Sequence, residues 1–153
     1  MNICLMKLIV LAGKDHCGKT ESLNMFACKI KNETGIDPMK IPKGNLANND
    51  WEYIFPEKND GENVNLVIST WGDYPLLLRE CCEKYRYCKA VVCACNLKFM
   101  HGRVYKPFED AMKFDPYATI VMKAEESDIY RHKIANETCA NYLLELIKHF
   151  GII

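Results

Sequence analysis

Apolar residues along this chain recur with two different periods, and each change of period marks an element. Residues 8–12, Leu-Ile-Val-Leu-Ala, form an apolar, partly β-branched run of strand length. The stretch from Ile3 onward resembles the apolar region of a signal peptide, but Lys7 interrupts it, so it reads as the first strand. Leu23, Phe26, Ala27 and Ile30 then recur at helical spacing, and Gly35 ends the pattern as a C-terminal glycine does. A helix is therefore predicted from about Lys19 to Thr34. Residues 36–50 contain Pro38, Pro42, Gly44 and the cluster Asn48-Asn49-Asp50, which predict a loop. Irregular segments of this length are usually functional or mobile.

Residues 51–55 and 64–70 are aromatic or β-branched and read as strands. Asn59-Asp60-Gly61 between them predicts the turn of an antiparallel hairpin. From Tyr74 to Arg86, Leu77, Leu78, Cys81 and Tyr85 share one helical face, and residues 90–95 form a small, nearly continuous apolar strand of the kind buried on both faces. Residues 96–106 read as a second open loop, followed by a short helix beginning at Pro107 and a strand over 118–122. The last helix carries Tyr142, Leu143, Leu146, Ile147 and Phe150 as its apolar stripe before Gly151. Alternating strands and helices predict one α/β domain over residues 1–153, a three-layer sandwich with helices on both faces. Its sheet is expected to be mainly parallel, of about five strands, with one antiparallel strand from the hairpin. Ligands in such sheets bind beyond the carboxyl ends of the strands, the edge to which residues 13–20, 70–73 and 96–106 are assigned.

Between the first strand and first helix stands Gly13-Lys14-Asp15-His16-Cys17-Gly18-Lys19-Thr20, which fits G-x-x-x-x-G-K-[ST] at every fixed position. The chemistry explains the residue types. A backbone whose N–H groups converge on a phosphate needs glycine where side chains would collide with it. Lys19 then places an ammonium on the outer phosphates, and the Thr20 hydroxyl is positioned to ligate Mg²⁺. The start of the helix adds its positive dipole end and unpaired N–H groups.

At this motif the chain resembles the P-loop NTPase superfamily, most strongly over residues 6–35. The resemblance implies an α/β sandwich that binds ATP, or another nucleoside triphosphate, with Mg²⁺. It assigns Gly13, Lys14, Asp15, His16, Cys17, Gly18, Lys19, Thr20 and Glu21 to the nucleotide. Over its whole length the chain looks like small P-loop proteins of phage and prophage type, a likeness that implies no activity. D-x-x-G, which closes the corresponding strand in the GTPase branch, has Ser69 where the aspartate is expected, and neither N-K-x-D nor T-K-x-D occurs in the chain. Both departures favour ATP over a guanine-specific switch.

A site that transfers or hydrolyses a phosphoryl group needs a carboxylate near Mg²⁺. Asp73, just past a strand end, is the sequence candidate for this metal ligand; its alternative role is to cap the following helix. Arg103, in a loop beside Gly102, is the candidate for neutralising transition-state charge, which makes Lys19, Asp73 and Arg103 the candidate catalytic set. Asp15 is awkward beside a triphosphate unless it faces away or meets the metal, and His16 reads as an exposed loop residue with proton transfer as the alternative. Cys17 lies at a helix N-terminus, an environment that favours thiolates.

Lys and Arg balance Asp and Glu at 20 each, so net charge points to no nucleic-acid partner. No run approaches the ~18 apolar residues of a membrane span, and a cytoplasmic location is expected. The nine cysteines are expected to be free thiols packed as small hydrophobes, since no C-x-x-C or zinc-finger spacing occurs. Two N-x-T sequences, at Asn32 and Asn136, would be silent in the cytosol. The readings left open are a small ATPase, a kinase for a nucleotide or other small-molecule acceptor, and a nucleotide-responsive binding or regulatory protein with little turnover; the phosphate acceptor or protein partner is left unassigned.

Overall fold

The computed structural model describes residues 6–58, 60–71, 75–99 and 105–153. In chain order the elements are β1 (Lys7–Gly13), α1 (Lys19–Thr34), β2 (Met39–Pro42), β3 (Trp51–Glu57), β4 (Asp60–Ser69), α2 (Pro75–Lys84), β5 (Ala90–Asn96), α3 (Tyr105–Met112), β6 (Thr119–Met122) and α4 (His132–His149). They form an α/β unit around one six-stranded mixed sheet in the order β2-β3-β4-β5-β1-β6. β1 pairs in parallel with β5 and β6, and β4 pairs in parallel with β5. The pairs of β3 with β2 and with β4 are antiparallel, so β3 alone runs against the other strands.

Burial explains the order. β5 is buried at every position, and β1 at every position but its first, as expected of parallel strands covered on both faces. The alternating side chains of β1 divide the core: Ile9 and Leu11 face one apolar layer, Leu8 and Val10 the other. On the first face Leu23, Phe26, Ala27 and Ile30 of α1 meet Ala140, Leu143 and Ile147 of α4. On the second, Leu78, Cys81 and Cys82 of α2 lie with Phe108 and Ala111 of α3. Small Ala, Val and Cys side chains along β5 let both helix layers approach the sheet closely.

Several expectations need correction. The sheet has six strands rather than five, because residues 39–42 form β2 within the segment read as a loop. β2 is a short edge strand, largely exposed and ending in proline, so it lacks the apolar alternation that marks its partners. The apolar stripe of α4 is rotated from the one predicted: Asn136, Ala140, Leu143 and Ile147 are buried, while Tyr142 and Phe150 are exposed. The short helix α3 begins two residues before Pro107.

Parallel strands bring their carboxyl ends to one edge of the sheet, where Gly13 of β1 pairs with Asn96 of β5. Ser69, at the end of β4, pairs with Cys93 of β5 and lies toward the same edge. Because β3 runs the other way, its amino end arrives there too, with Glu52 opposite Ser69. The residues immediately before β3 thus face the loop after β1, although 30 positions separate Asp50 from Thr20.

Candidate functional site

The loop after β1 enters α1 through two positions with positive φ, His16 at 59° and Gly18 at 95°. Gly18 occupies the N-cap of α1, and no side-chain hydrogen bond caps the helix. The first intrahelical bond runs from the Ser22 N–H to the Gly18 carbonyl, so the N–H groups of the first turn have no partner within the helix. Such an end suits an anion. Glycine is required at Gly18 on two counts: its φ lies in the left-handed region, and a Cβ there would stand 2.2 Å from Asn136 Oδ1. At Gly13 the constraint is space alone, since a Cβ would come within 2.5 Å of Cys17 Sγ.

Lys19 folds back over this loop. Only 6% of its surface is exposed, and its ammonium donates to the carbonyls of Gly13 at 3.1 Å and Lys14 at 2.7 Å. Among the described residues no carboxylate lies within ion-pairing distance of it. The Cys17 sulfur lies 4.0 Å from it as well. An ammonium held by carbonyl dipoles and a thiol, with no carboxylate partner among the described residues, suits an added anion.

The structure also shows how an aspartate is accommodated in the loop. Asp15 accepts a hydrogen bond from the side-chain amide of buried Asn96 and pairs with Lys98 at 3.2 Å. The Asn96 side-chain Oδ1 in turn accepts from the Lys98 backbone N–H at 3.1 Å. Asp15 is therefore tied to the end of β5 and the turn after it. Lys14 extends outward and lies 3.8 Å from Glu125.

On the β6 and α4 side, the loop opens onto a cavity of 220 Å³ lined by His16, Cys17, Gly18, Glu21, Lys123, Glu126, His132 and Asn136. Lys123 is buried, and its N–H donates to the Ala12 carbonyl at 2.8 Å, continuing the pairing of β6 with β1. A larger cavity of 750 Å³ lies at the opposite end of the sheet, among Thr34, Ile36, Asn65, Lys89 and Ile152. Volume alone does not make it the better site: the loop, the open helix end and Lys19 all lie at the other end.

On the β3 and β4 side stands a carboxylate that the sequence pattern did not single out. Asp50 Oδ1 accepts hydrogen bonds from the hydroxyls of Thr20 at 3.3 Å and Thr70 at 2.8 Å. The Thr70 oxygen also accepts the Trp51 N–H at 3.0 Å, and the Thr70 N–H donates to the Trp51 carbonyl at 3.0 Å. Asn49, with φ of 55°, is held between α1 and β3: its carbonyl accepts from Asn24, and its side chain accepts from the Trp51 indole at 2.7 Å. Tyr53 locks Asn24 from below by donating to its side-chain oxygen at 2.7 Å. Burial raises the Tyr53 phenol to about 12, so it remains a donor throughout the neutral range.

No protein-family model, curated protein or solved structure matches this chain. Of the candidate residues, Gly13, Lys14, Asp15, His16, Cys17, Gly18, Lys19, Thr20 and Glu21 are brought together at one edge of the sheet, whereas Asp73 and Arg103 lie outside the described residues. The only early signal for Asp50 was its place in a polar cluster before an aromatic strand. Among the described residues no group of three His, Cys, Asp or Glu side chains is arranged to hold a metal, and no helix is long and apolar enough to cross a membrane.

The eight described cysteines are all free thiols, and six of them are buried. Burial pushes Cys82 upward and Cys88 to about 12; Cys93, hydrogen-bonded with Cys81 at 3.6 Å, is raised by that bond and by burial. At pH 8 a thiol near 12 is ionised in roughly one molecule in 10,000, and only the thiolate reacts. Iodoacetamide on the native protein should therefore leave Cys82, Cys88 and Cys93 intact until urea unfolds the chain, while burial alone shields Cys17 and exposed Cys28 reacts first. Mass spectrometry finding Cys17 alkylated as fast as Cys28 would show that the loop opens in solution.

Proposed function

We propose that this chain is a P-loop-type protein that binds a nucleoside triphosphate, ATP foremost, together with Mg²⁺, and hydrolyses or transfers its γ-phosphate. The observation that carries this reading is Lys19, a buried ammonium resting on two loop carbonyls beside an uncapped helix end. Electrostatics and geometry agree there. The loop and first turn of α1 hold the phosphates, Lys19 exchanges its carbonyl contacts for phosphate oxygens, and Thr20 faces the metal. The cavity between the loop and α4 takes the rest of the nucleotide. Bound Mg²⁺ supplies charge neutralisation across the outer phosphates.

A second reading, a nucleotide-responsive protein with little turnover, draws support from Asp15. Its bonds to Asn96 and Lys98 join the phosphate loop to the segment leaving β5, so a change at the loop is transmitted directly to that connection. Two assays on the wild-type protein separate the readings: calorimetric titration with Mg-ATP, and phosphate release with and without candidate acceptors. Binding with steady release supports the enzyme. Transfer to an acceptor likewise supports the enzyme; binding with neither release nor transfer supports the responsive protein, and absence of binding overturns both.

A further inference from the structure

We propose that Asp50 is the carboxylate that binds the divalent cation, side by side with Thr20, an inference that rests on the nucleotide-binding reading above. Two oxygens occupying adjacent corners of an octahedron around Mg²⁺, each about 2.1 Å from the metal, stand about 3.0 Å apart. Thr20 Oγ1 and Asp50 Oδ1 are already 3.3 Å apart. The separation is thus within a few tenths of an ångström of what a shared cation requires, once the Thr20 hydroxyl turns its proton away from Asp50.

The surroundings of Asp50 fix its oxygen in place. Thr70 donates to Oδ1 while its own oxygen receives the Trp51 N–H, so β3 and β4 together set the carboxylate's position. The backbone is pinned as well: the Asp50 carbonyl accepts the Lys43 N–H at 2.9 Å, and Asn49 is bonded to both α1 and β3. Preorganisation on this scale goes beyond what a surface aspartate needs, and it spares the site the cost of ordering a ligand when the cation arrives. One carboxylate and one hydroxyl are too few to hold Mg²⁺ alone. They match the way this ion is usually bound, through one or two carboxylates, retained waters and the phosphates that accompany it.

The test separates this proposal from the reading beneath it. ATP affinity is measured for wild type, Asp50→Asn and Thr70→Val, each in Mg²⁺ and in EDTA. Wild type should bind at least ~10-fold more tightly with Mg²⁺. Asp50→Asn should lose that preference while keeping or improving its EDTA affinity, because a negative charge beside the triphosphate has gone; Thr70→Val should lose part of it. A wild-type preference retained in Asp50→Asn overturns the proposal. Failure of wild type to bind ATP in either condition overturns the nucleotide reading, and the proposal with it.

A second measurement needs no substitution at Asp50. In protein labelled with ¹³C at the aspartate carboxyl groups and loaded with Mn-ATP, electron–nuclear double resonance should detect a directly coordinated carboxylate carbon. The signal should persist in Asp73→Asn. Absence of the signal in wild type, or its disappearance in Asp73→Asn, assigns the cation to other ligands and overturns the proposal.

Discussion

Replacing Lys19 with alanine is expected to weaken ATP binding at least ~30-fold while leaving the ligand-free fold nearly as stable as before. Removing one member of a buried, hydrogen-bonded charge pair costs roughly 2–5 kcal/mol of binding, and each 1.4 kcal/mol is about tenfold in affinity. Without ligand the balance is different. The ammonium now bonds two loop carbonyls, but Lys19, only 6% exposed, also bears a desolvation cost with no carboxylate in ion-pairing distance among the described residues. Alanine removes that cost together with those bonds, so the two changes largely offset. Thermal denaturation should therefore show similar midpoints for wild type and Lys19→Ala without ATP. The upward shift that wild type gains with a fixed excess of ATP should be clearly smaller in the variant. Unchanged ATP affinity in Lys19→Ala would remove the premise common to both proposed functions.

The second large effect is expected from Gly18→Ala. A β-carbon at φ of 95° is strained wherever it occurs, and here it would also stand 2.2 Å from Asn136 Oδ1 and 2.9 Å from Cγ. Backbone strain of about 1–3 kcal/mol and a partly relieved collision of about 1 kcal/mol predict a loss of roughly 2–4 kcal/mol in urea denaturation. Asn136 is buried on α4, lies 3.5 Å from the Ser22 hydroxyl and can turn only toward the cavity it lines, so the collision is relieved in part. Asn136→Ala in the same chain should recover the collision but not the strain. The double variant should then be more stable than the sum of the single losses, by about 1 kcal/mol or more. Wild-type stability in Gly18→Ala would mean that the loop does not hold this conformation in solution.

These features differ in how they could be read from the sequence. α1 was legible to its ends, because Lys19–Thr34 combines a helical apolar stripe with a terminal glycine, and Gly35 does take φ of 70°. β5 was legible because an unbroken run of small apolar residues fits only a strand covered on both faces. β2 was not: an exposed edge strand has no buried face to impose alternation, and Pro42 reads as a breaker. The stripe of α4 was misplaced because Tyr142 and Phe150 are large and apolar, yet their positions on the helix point outward, while the polar Asn136 is the residue buried against Gly18.

The candidate site divides in the same way. Gly13, Gly18, Lys19 and Thr20 announce themselves through fixed spacing within one loop. Asp50 does not, because its place beside Thr20 depends on the direction of β3 and its register with β4, neither of which leaves a mark in the residues near Asp50. Asn96 was hidden likewise: a polar residue closing an apolar strand reads as its end, and only the pairing of β5 with β1 shows that it faces Asp15.

The sheet order also works as a ruler. With β5 inserted between them, β1 and β4 lie two strand spacings apart, about 9.6 Å. Thr20 at the start of α1 and Thr70 past the end of β4 stand on opposite banks of that gap, and Asp50 is the span that touches both. The separation of the two strands is thereby set by backbone pairing through β5. Substitutions on either bank change which side chains meet Asp50, whereas the strand separation follows from the sheet order alone.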